Sequence, residues 1–256
     1  MTKAERKKQQ SPLHFRRIEL KYIVPDNLVQ NIADRISPYI QLDPFLVAEG
    51  NKRTSYPVTS LYFDSIDCHS LKEKDAGLLA RRKVRLRTYA ESFSGDQLSF
   101  LEIKRRNDVV VSKDRLSFSL SQLPDNIPNS RFLYHAIKSA QASKAVVTEA
   151  QLLLAWYNLH PTALVQYQRF PFVALNDPTF RITFDRNLKG HWRPSHIFSA
   201  PPLRRCLPGY TVLELKFNHS IPGWLHSVIQ DYELQRTSCS KYATVVQSLA
   251  PHPTLV

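Results

Sequence analysis

Glycine is scarce in this chain, with 6 residues in 256, and none sits in a Walker A or GxGxxG pattern. Any phosphate bound here must therefore be held by side chains rather than by a cradle of backbone amides. Cysteine is scarcer still: Cys68, Cys206 and Cys239 are odd in number and far apart. They form no CxxC and no zinc spacing with the 9 histidines, and His191 and His196 fit no one-face metal motif, so they read as loop residues. This spacing argues against a disulfide framework, which suits a reducing compartment. Long apolar runs are also missing. "AQLLLAWYNL" (150–159) is too short to span a bilayer, and the opening "MTKAERKKQQSP" lacks the apolar core of a signal peptide. The expectation is a soluble cytoplasmic protein with a disordered basic tail over 1–13 and a single domain over 14–256. The tail leaves peripheral contact with an anionic membrane open, and the sequence does not set an oligomeric state.

Negative charge is the last deficit. Against 35 Lys and Arg stand 22 Asp and Glu, a formal charge of +13. At 43% hydrophobic residues the chain has enough apolar material for a core, so the excess charge implies a polyanionic partner rather than disorder. Composition alone does not choose among nucleic acid, membrane and phosphorylated small molecules.

Alternation supplies the missing constraint. "FRRIELKYIV" (15–24), "VTSLYFDS" (58–65), "KVRLRTYA" (83–90), "LSFLEIKRR" (98–106) and "VVVSKDRLSFSL" (109–120) read as strands. So do "ALVQYQRFPFVAL" (163–175), "FRITFDRNL" (180–188) and "TVLELKFNHS" (211–220). Gly95-Asp96 and Asn107-Asp108 supply turns within a meander. Helical spacing appears after Pro25, in the short stretch closed by Gly77, over about 130–158, and in the two C-terminal segments. "HWRPSHIFSAPPLRRCLPG" (191–209), rich in Pro, reads as a long loop.

Residues i and i+2 of a strand share a face. One face then carries Arg17, Glu19 and Lys21; Tyr62 and Asp64; Lys83, Arg85 and Arg87; Glu102, Lys104 and Arg106; and Lys113 and Arg115. Later strands add Tyr167 with Arg169, Arg181 with Thr183 and Asp185, and Glu214 with Lys216. The other face is apolar: Val84/Leu86, Leu101/Ile103, Ile182/Phe184, Leu213/Leu215. A solvated outer face explains one such strand; for eight that explanation strains. If helices cover the apolar side, the charged sides converge. The fold expected is α+β, an antiparallel closed β-barrel with a polar, cationic lumen and helices packed outside. Such a lumen must be wet and must bind anions, and a compact chain of phosphates suits forked arginines and point-charge lysines. Lys72 and Lys74 are expected on a solvated helix face, and Glu19, Glu102 and Asp185 as spacers among the cations, Asp185 beside Arg181.

The order "RRIELKY", "SLYFD", "VRLRTY", "LEIKRR", "SKDR", "QYQR", "RITFDRNL", "LELKF", "SKYA" resembles the VTC domain over roughly residues 14–249. That is the catalytic domain of polyphosphate polymerases within the triphosphate tunnel metalloenzyme superfamily. The resemblance implies an ATP-dependent enzyme that adds the γ-phosphate to a growing polyphosphate chain and releases ADP. By position it implies that Lys21, Arg85, Arg87, Lys104, Arg169 and Arg181 hold phosphates, with Tyr167 donating its hydroxyl and Lys113 further along the exit path. Glu214 would hold a divalent metal, Mn²⁺ or Mg²⁺, and Ser240 and Lys241 would cap the phosphate site. Where many tunnel hydrolases and cyclases carry ExExK, this chain reads Arg17-Ile-Glu19-Leu-Lys21, one carboxylate fewer, which favours transfer to phosphate over hydrolysis. The alternatives are a tripolyphosphatase or nucleoside triphosphatase of the same fold, and a non-catalytic polyphosphate- or nucleic-acid-binding module. Aliphatic residues between the cations count against nucleic acid, and the resemblance implies ATP and inorganic polyphosphate as partners.

Overall fold

The computed structural model describes residues 18–48, 53–93, 97–108, 110–122, 129–139, 144–194 and 202–251. The expected tail (1–13), Arg17, the Gly95-Asp96 turn and His196 lie outside the described residues. Ten strands occur in chain order: β1 (Ile18–Pro25), β2 (Ile40–Leu42), β3 (Tyr56–Asp64), β4 (Ala80–Thr88) and β5 (Leu98–Asn107), then β6 (Val110–Ser119), β7 (His160–Ala174), β8 (Arg181–Trp192), β9 (Arg204–Arg205) and β10 (Tyr210–Phe217). The helices are α1 (Val29–Ile36), α2 (Pro44–Ala48), α3 (His69–Asp75), α4 (Asn129–Ser139), α5 (Lys144–Tyr157), α6 (Gly223–Asp231) and α7 (Lys241–Leu249).

All the strands belong to one antiparallel sheet, ordered β1-β10-β8-β7-β3-β4-β5-β6, with β2 added to β7 and β9 to β8. The expected closed barrel requires correction. Among the described residues no ladder joins β1 to β6, so the sheet curls without closing. Its ends still approach each other, because Lys104 of β5 reaches Glu19 of β1 at 2.8 Å. An open seam admits water to a crowded cationic face, where a dry, closed bore would leave like charges unscreened. The long loop expected over 191–209 also shrinks: β8 runs on to Trp192, and Arg204 and Arg205 pair back onto Gly190 and Lys189.

Strand parity places the core on the outer face. Val84, Leu86, Leu101, Ile103 and Leu116 pack under Phe132, Leu133, Ala136 and Ile137 of α4 and Ala150 and Leu153 of α5. Around the other half of the sheet, Ile182, Phe184, Leu213 and Leu215 lie beneath Val29, Ile32 and Ile36 of α1 and Leu225 and Val228 of α6. The i, i+3, i+7 spacing in α1 is what turns those three residues to one side. Truncating any one such buried aliphatic to alanine costs about 2–5 kcal/mol.

The last helix is set differently. α7 lies against β7 and β8 through Tyr242, Val245 and Val246, and it approaches so closely that a Cβ on Gly190 would sit 2.5 Å from Val245 Cγ1. Only glycine fits there, and that contact fixes where the helix start, Ser240 and Lys241, meets the charged face. In the β7–β8 ladder a register shift sets Asn187, at φ 54°, and Leu188 of β8 opposite Tyr167 alone, a bulge on β8.

Candidate functional site

The inner face of the curled sheet encloses a cavity of about 1590 Å³. Among its described lining residues are 16 Lys and Arg against 4 Asp and Glu, and no histidine. All eleven residues singled out in the sequence line it: Lys21, Arg85, Arg87, Lys104, Lys113, Tyr167, Arg169, Arg181, Glu214, Ser240 and Lys241. Lys74 of α3 also lines it, its side chain only 20% exposed, rather than lying on a solvated helix face.

The cations are organised around two carboxylates that stand behind the wall. Glu102 of β5 is 0% exposed. Arg85 meets its Oε2 at 2.7 Å and Arg87 lies 3.9 Å from the same oxygen, while Lys113 and Arg115 reach Oε1 at 3.1 and 2.7 Å. The ladder explains this convergence, since Arg85 and Arg115 are the direct cross-strand partners of Glu102 on β4 and β6. Arg85 also donates to Tyr62 Oη at 2.9 Å, and Arg87 to Ser60 Oγ at 3.1 Å and Tyr167 Oη at 3.4 Å. One buried anion thus fixes four cations while leaving the group strongly positive.

Asp185 of β8 is the second centre. Arg169 binds it through two parallel hydrogen bonds of 2.7 Å, and Lys241 from the start of α7 binds Oδ2 at 2.7 Å. Arg169 continues to Glu214 Oε2 at 3.3 Å, whose other oxygen meets Lys216 at 3.2 Å. Arg181, expected beside Asp185, instead points to Asp43 at 3.6 Å with its side chain 49% exposed, a position at the rim. The reason is register: Arg169, not Arg181, is the cross-strand partner of Asp185.

A third group lies at the seam. Lys21 donates to the carbonyl of Cys239 at 3.2 Å, and Lys83 donates to Ser240 Oγ at 3.0 Å. Ser240 also caps α7 by accepting from the Ala243 amide, so it joins helix and lumen. The three cysteines are free thiols, Cys206 buried and the other two half-buried.

The titration behaviour reflects this field. Burial opposes ionisation of Glu19, yet Lys104 and its neighbours draw the carboxyl down to about 2. Asp185 is likewise brought to about 2, where burial is outweighed by Arg169 and Lys241. Glu102 and Glu214 are held well below the usual carboxylate range against the same burial, by the cations around each. Burial, reinforced by nearby cations, lowers Lys83, Lys113 and Lys216 to about 8. Tyr62 shows the field most plainly: burial would raise its phenol, but Arg85, Arg87 and Lys83 bring it down to about 7.

A divalent metal can be tested against this donor set. No group of three or more His, Cys, Asp and Glu side chains that could hold a metal occurs among the described residues. A protein-only cage is therefore not built. Glu214 and Glu19 do share the inner face of the β1–β10 ladder, two positions apart in register. That pair suits an ion of the magnesium type, which takes one or two carboxylates and completes its shell with water and phosphate oxygens.

The chain is thus an antiparallel sheet curled around a large cationic cavity, with helices packed outside. A family model for the VTC domain matches residues 16–250, and the chain belongs to that family. Among solved structures, a candidate adenylyl cyclase from Hippeastrum, reported with a dominant triphosphatase activity, shares the fold. The TM-score is 0.51 at 13% identity, covering 91% of this chain and 95% of that one. A candidate adenylate cyclase from Vibrio parahaemolyticus aligns at TM-score 0.44 and 10% identity, over 91% of this chain and 98% of its own. No curated protein matches the chain. No described helix is long and apolar enough to cross a membrane.

Proposed function

We propose that the chain is an ATP-dependent polyphosphate polymerase. An oxygen of the acceptor's terminal phosphate bonds to the γ-phosphorus of ATP. The bond from that phosphorus to the β,γ-bridging oxygen breaks, and its electron pair leaves with ADP. The acceptor oxygen is already anionic, so no general base is needed.

The observation carrying this reading is the lining of the cavity, in which cations greatly outnumber carboxylates and each inner carboxylate is already engaged by lysine or arginine. Such a wall binds and aligns phosphates, and it offers little to activate water. Phosphoryl transfer asks mainly for that alignment and for charge on the equatorial and leaving oxygens. Arg85 and Arg87, fixed by Glu102, and Arg169 and Lys241, fixed by Asp185, present guanidinium and ammonium groups on either side of Tyr167, whose hydroxyl Arg87 meets at 3.4 Å and over whose ring Arg169 and Lys241 lie. Lys21, Lys104 and Lys83 extend the positive wall along the seam. Glu214 and Glu19, giving up Lys216 and Lys104, would hold a divalent ion that supplies further charge neutralisation on the phosphate oxygens.

The test is incubation with ATP, a short polyphosphate primer, and Mn²⁺ or Mg²⁺, followed by a gel stained for polyphosphate. Long polymer is expected with wild type and none with Glu214→Gln, whose fold is checked by circular dichroism. Orthophosphate released in step with ADP would instead identify a triphosphatase, and tight phosphate binding without turnover a binding module. Undiminished synthesis by Glu214→Gln removes its metal role.

A further inference from the structure

Four aromatic rings stand together at one end of the cavity, and the cation wall touches them through Arg115. Tyr56 opens β3, Tyr89 directly follows β4, Phe100 lies near the start of β5, and Phe45 comes from α2. Ring centroids are 5.6 Å apart for Tyr56–Tyr89, 5.9 Å for Tyr89–Phe100 and 5.9 Å for Phe45–Tyr56. None of the four is buried, and Phe45 is 49% exposed. Open ring surface inside a wet, cationic cavity is unfavourable unless something covers it.

The cluster adjoins the phosphate wall directly. Arg115 lies 4.3 Å over the Phe100 ring, donates to Tyr89 Oη at 3.0 Å, and donates to Glu102 at 2.9 Å through its Nε. Gln97, which lines the cavity, has its Oε1 buried and without a hydrogen-bond partner among the described residues. Rings interleaved with a guanidinium suit stacking of a nucleobase, and an orphan amide oxygen suits an exocyclic amine.

We propose that this aromatic end is the nucleobase subsite of the donor nucleotide. The inference rests on reading the cavity as a nucleoside triphosphate site. The base stacks on the open rings, Gln97 accepts from its exocyclic amine, and the triphosphate runs past Arg115 toward Arg85. The opposite end, where β4 begins and β5 ends, sets Arg81 directly across from Arg106. Facing cations there suit bare phosphate, so the growing chain lies on that side.

Calorimetric binding to the full chain tests this, with ATP, inosine triphosphate and inorganic tripolyphosphate as ligands. Phe45→Ala should weaken ATP roughly tenfold while leaving tripolyphosphate within about twofold, and Phe45→Trp should restore ATP. Wild type should favour ATP over inosine triphosphate, and Gln97→Leu should erase that preference. Equal loss for ATP and tripolyphosphate, or no loss for either, overturns the subsite, as does a wild type that binds tripolyphosphate but not ATP. Because the readout is binding, a protein that shows these preferences yet makes no polymer refutes the polymerase reading alone.

Discussion

Replacing Glu102 with glutamine removes one negative charge from the centre of the arginine cluster at nearly constant shape. Its worth follows from exposure. Lys113 and Arg115 have side chains 37% and 34% exposed, so solvent screens their share to less than about 1 kcal/mol each. Arg85 and Arg87 are only 12% and 7% exposed, and breaking a buried pair of that kind costs roughly 3–5 kcal/mol. Both keep other acceptors, Tyr62 for Arg85 and Ser60 for Arg87, which places the loss near the lower bound. About 3 kcal/mol corresponds to a fall in Tm of roughly 6–12 °C for a domain of this size. Scanning calorimetry at low ionic strength measures it. Tripolyphosphate should then raise the Tm of the variant more than that of wild type, because the ligand supplies the missing negative charge. A Tm within about 2 °C of wild type, or equal gains from tripolyphosphate, would refute the role given to Glu102.

Lys83, Lys113 and Lys216 titrate at about 8, so the free cavity loses positive charge as pH rises through that value. A bound polyanion favours their charged forms; tripolyphosphate affinity should fall from pH 7 to 9 and binding at pH 8 should take up protons, seen by calorimetry in buffers of differing ionisation enthalpy. Tyr62, brought to about 7 by its cationic neighbours, should give a phenolate absorbance that titrates near neutrality, vanishes in Tyr62→Phe and moves to higher pH when tripolyphosphate fills the cavity. Glu19 and Asp185, both lowered to about 2, add stability that is complete above their ordinary carboxyl range and fades on acidification toward pH 2. An acid unfolding curve that is flat across that window would contradict the ion pairs drawn for them.

Much of this arrangement was legible in the sequence because a strand has a period of two. Arg85 and Glu102 lie on the predicted inner face, while Val84, Leu86, Leu101 and Ile103 lie on the buried outer one. Parity says which way a side chain points, but not which residue it faces across the ladder. Parity therefore sets Asp185 beside Arg181 of its own strand, whereas its register partner is Arg169. Closure does not follow from the pattern for a related reason: convergent charged faces require a curled sheet, and a curled sheet does not require a ladder between its end strands. β2 and α2, at 3 and 5 residues, are too short to show any period, and with α2 went Phe45. The aromatic end is invisible to strand periodicity because Tyr56, Tyr89 and Phe100 sit at strand ends, where only three-dimensional packing gathers them. Family membership was readable from the order of short motifs, each weak alone.

The central claim is that the cationic lumen passes phosphate to phosphate rather than to water. Phosphorus NMR of the running ATP reaction tests it most directly, since internal and terminal phosphates of a chain resonate apart from orthophosphate. Growth of the internal-phosphate signal in proportion to ADP is the predicted result. An orthophosphate signal that alone accounts for the ADP formed would contradict it.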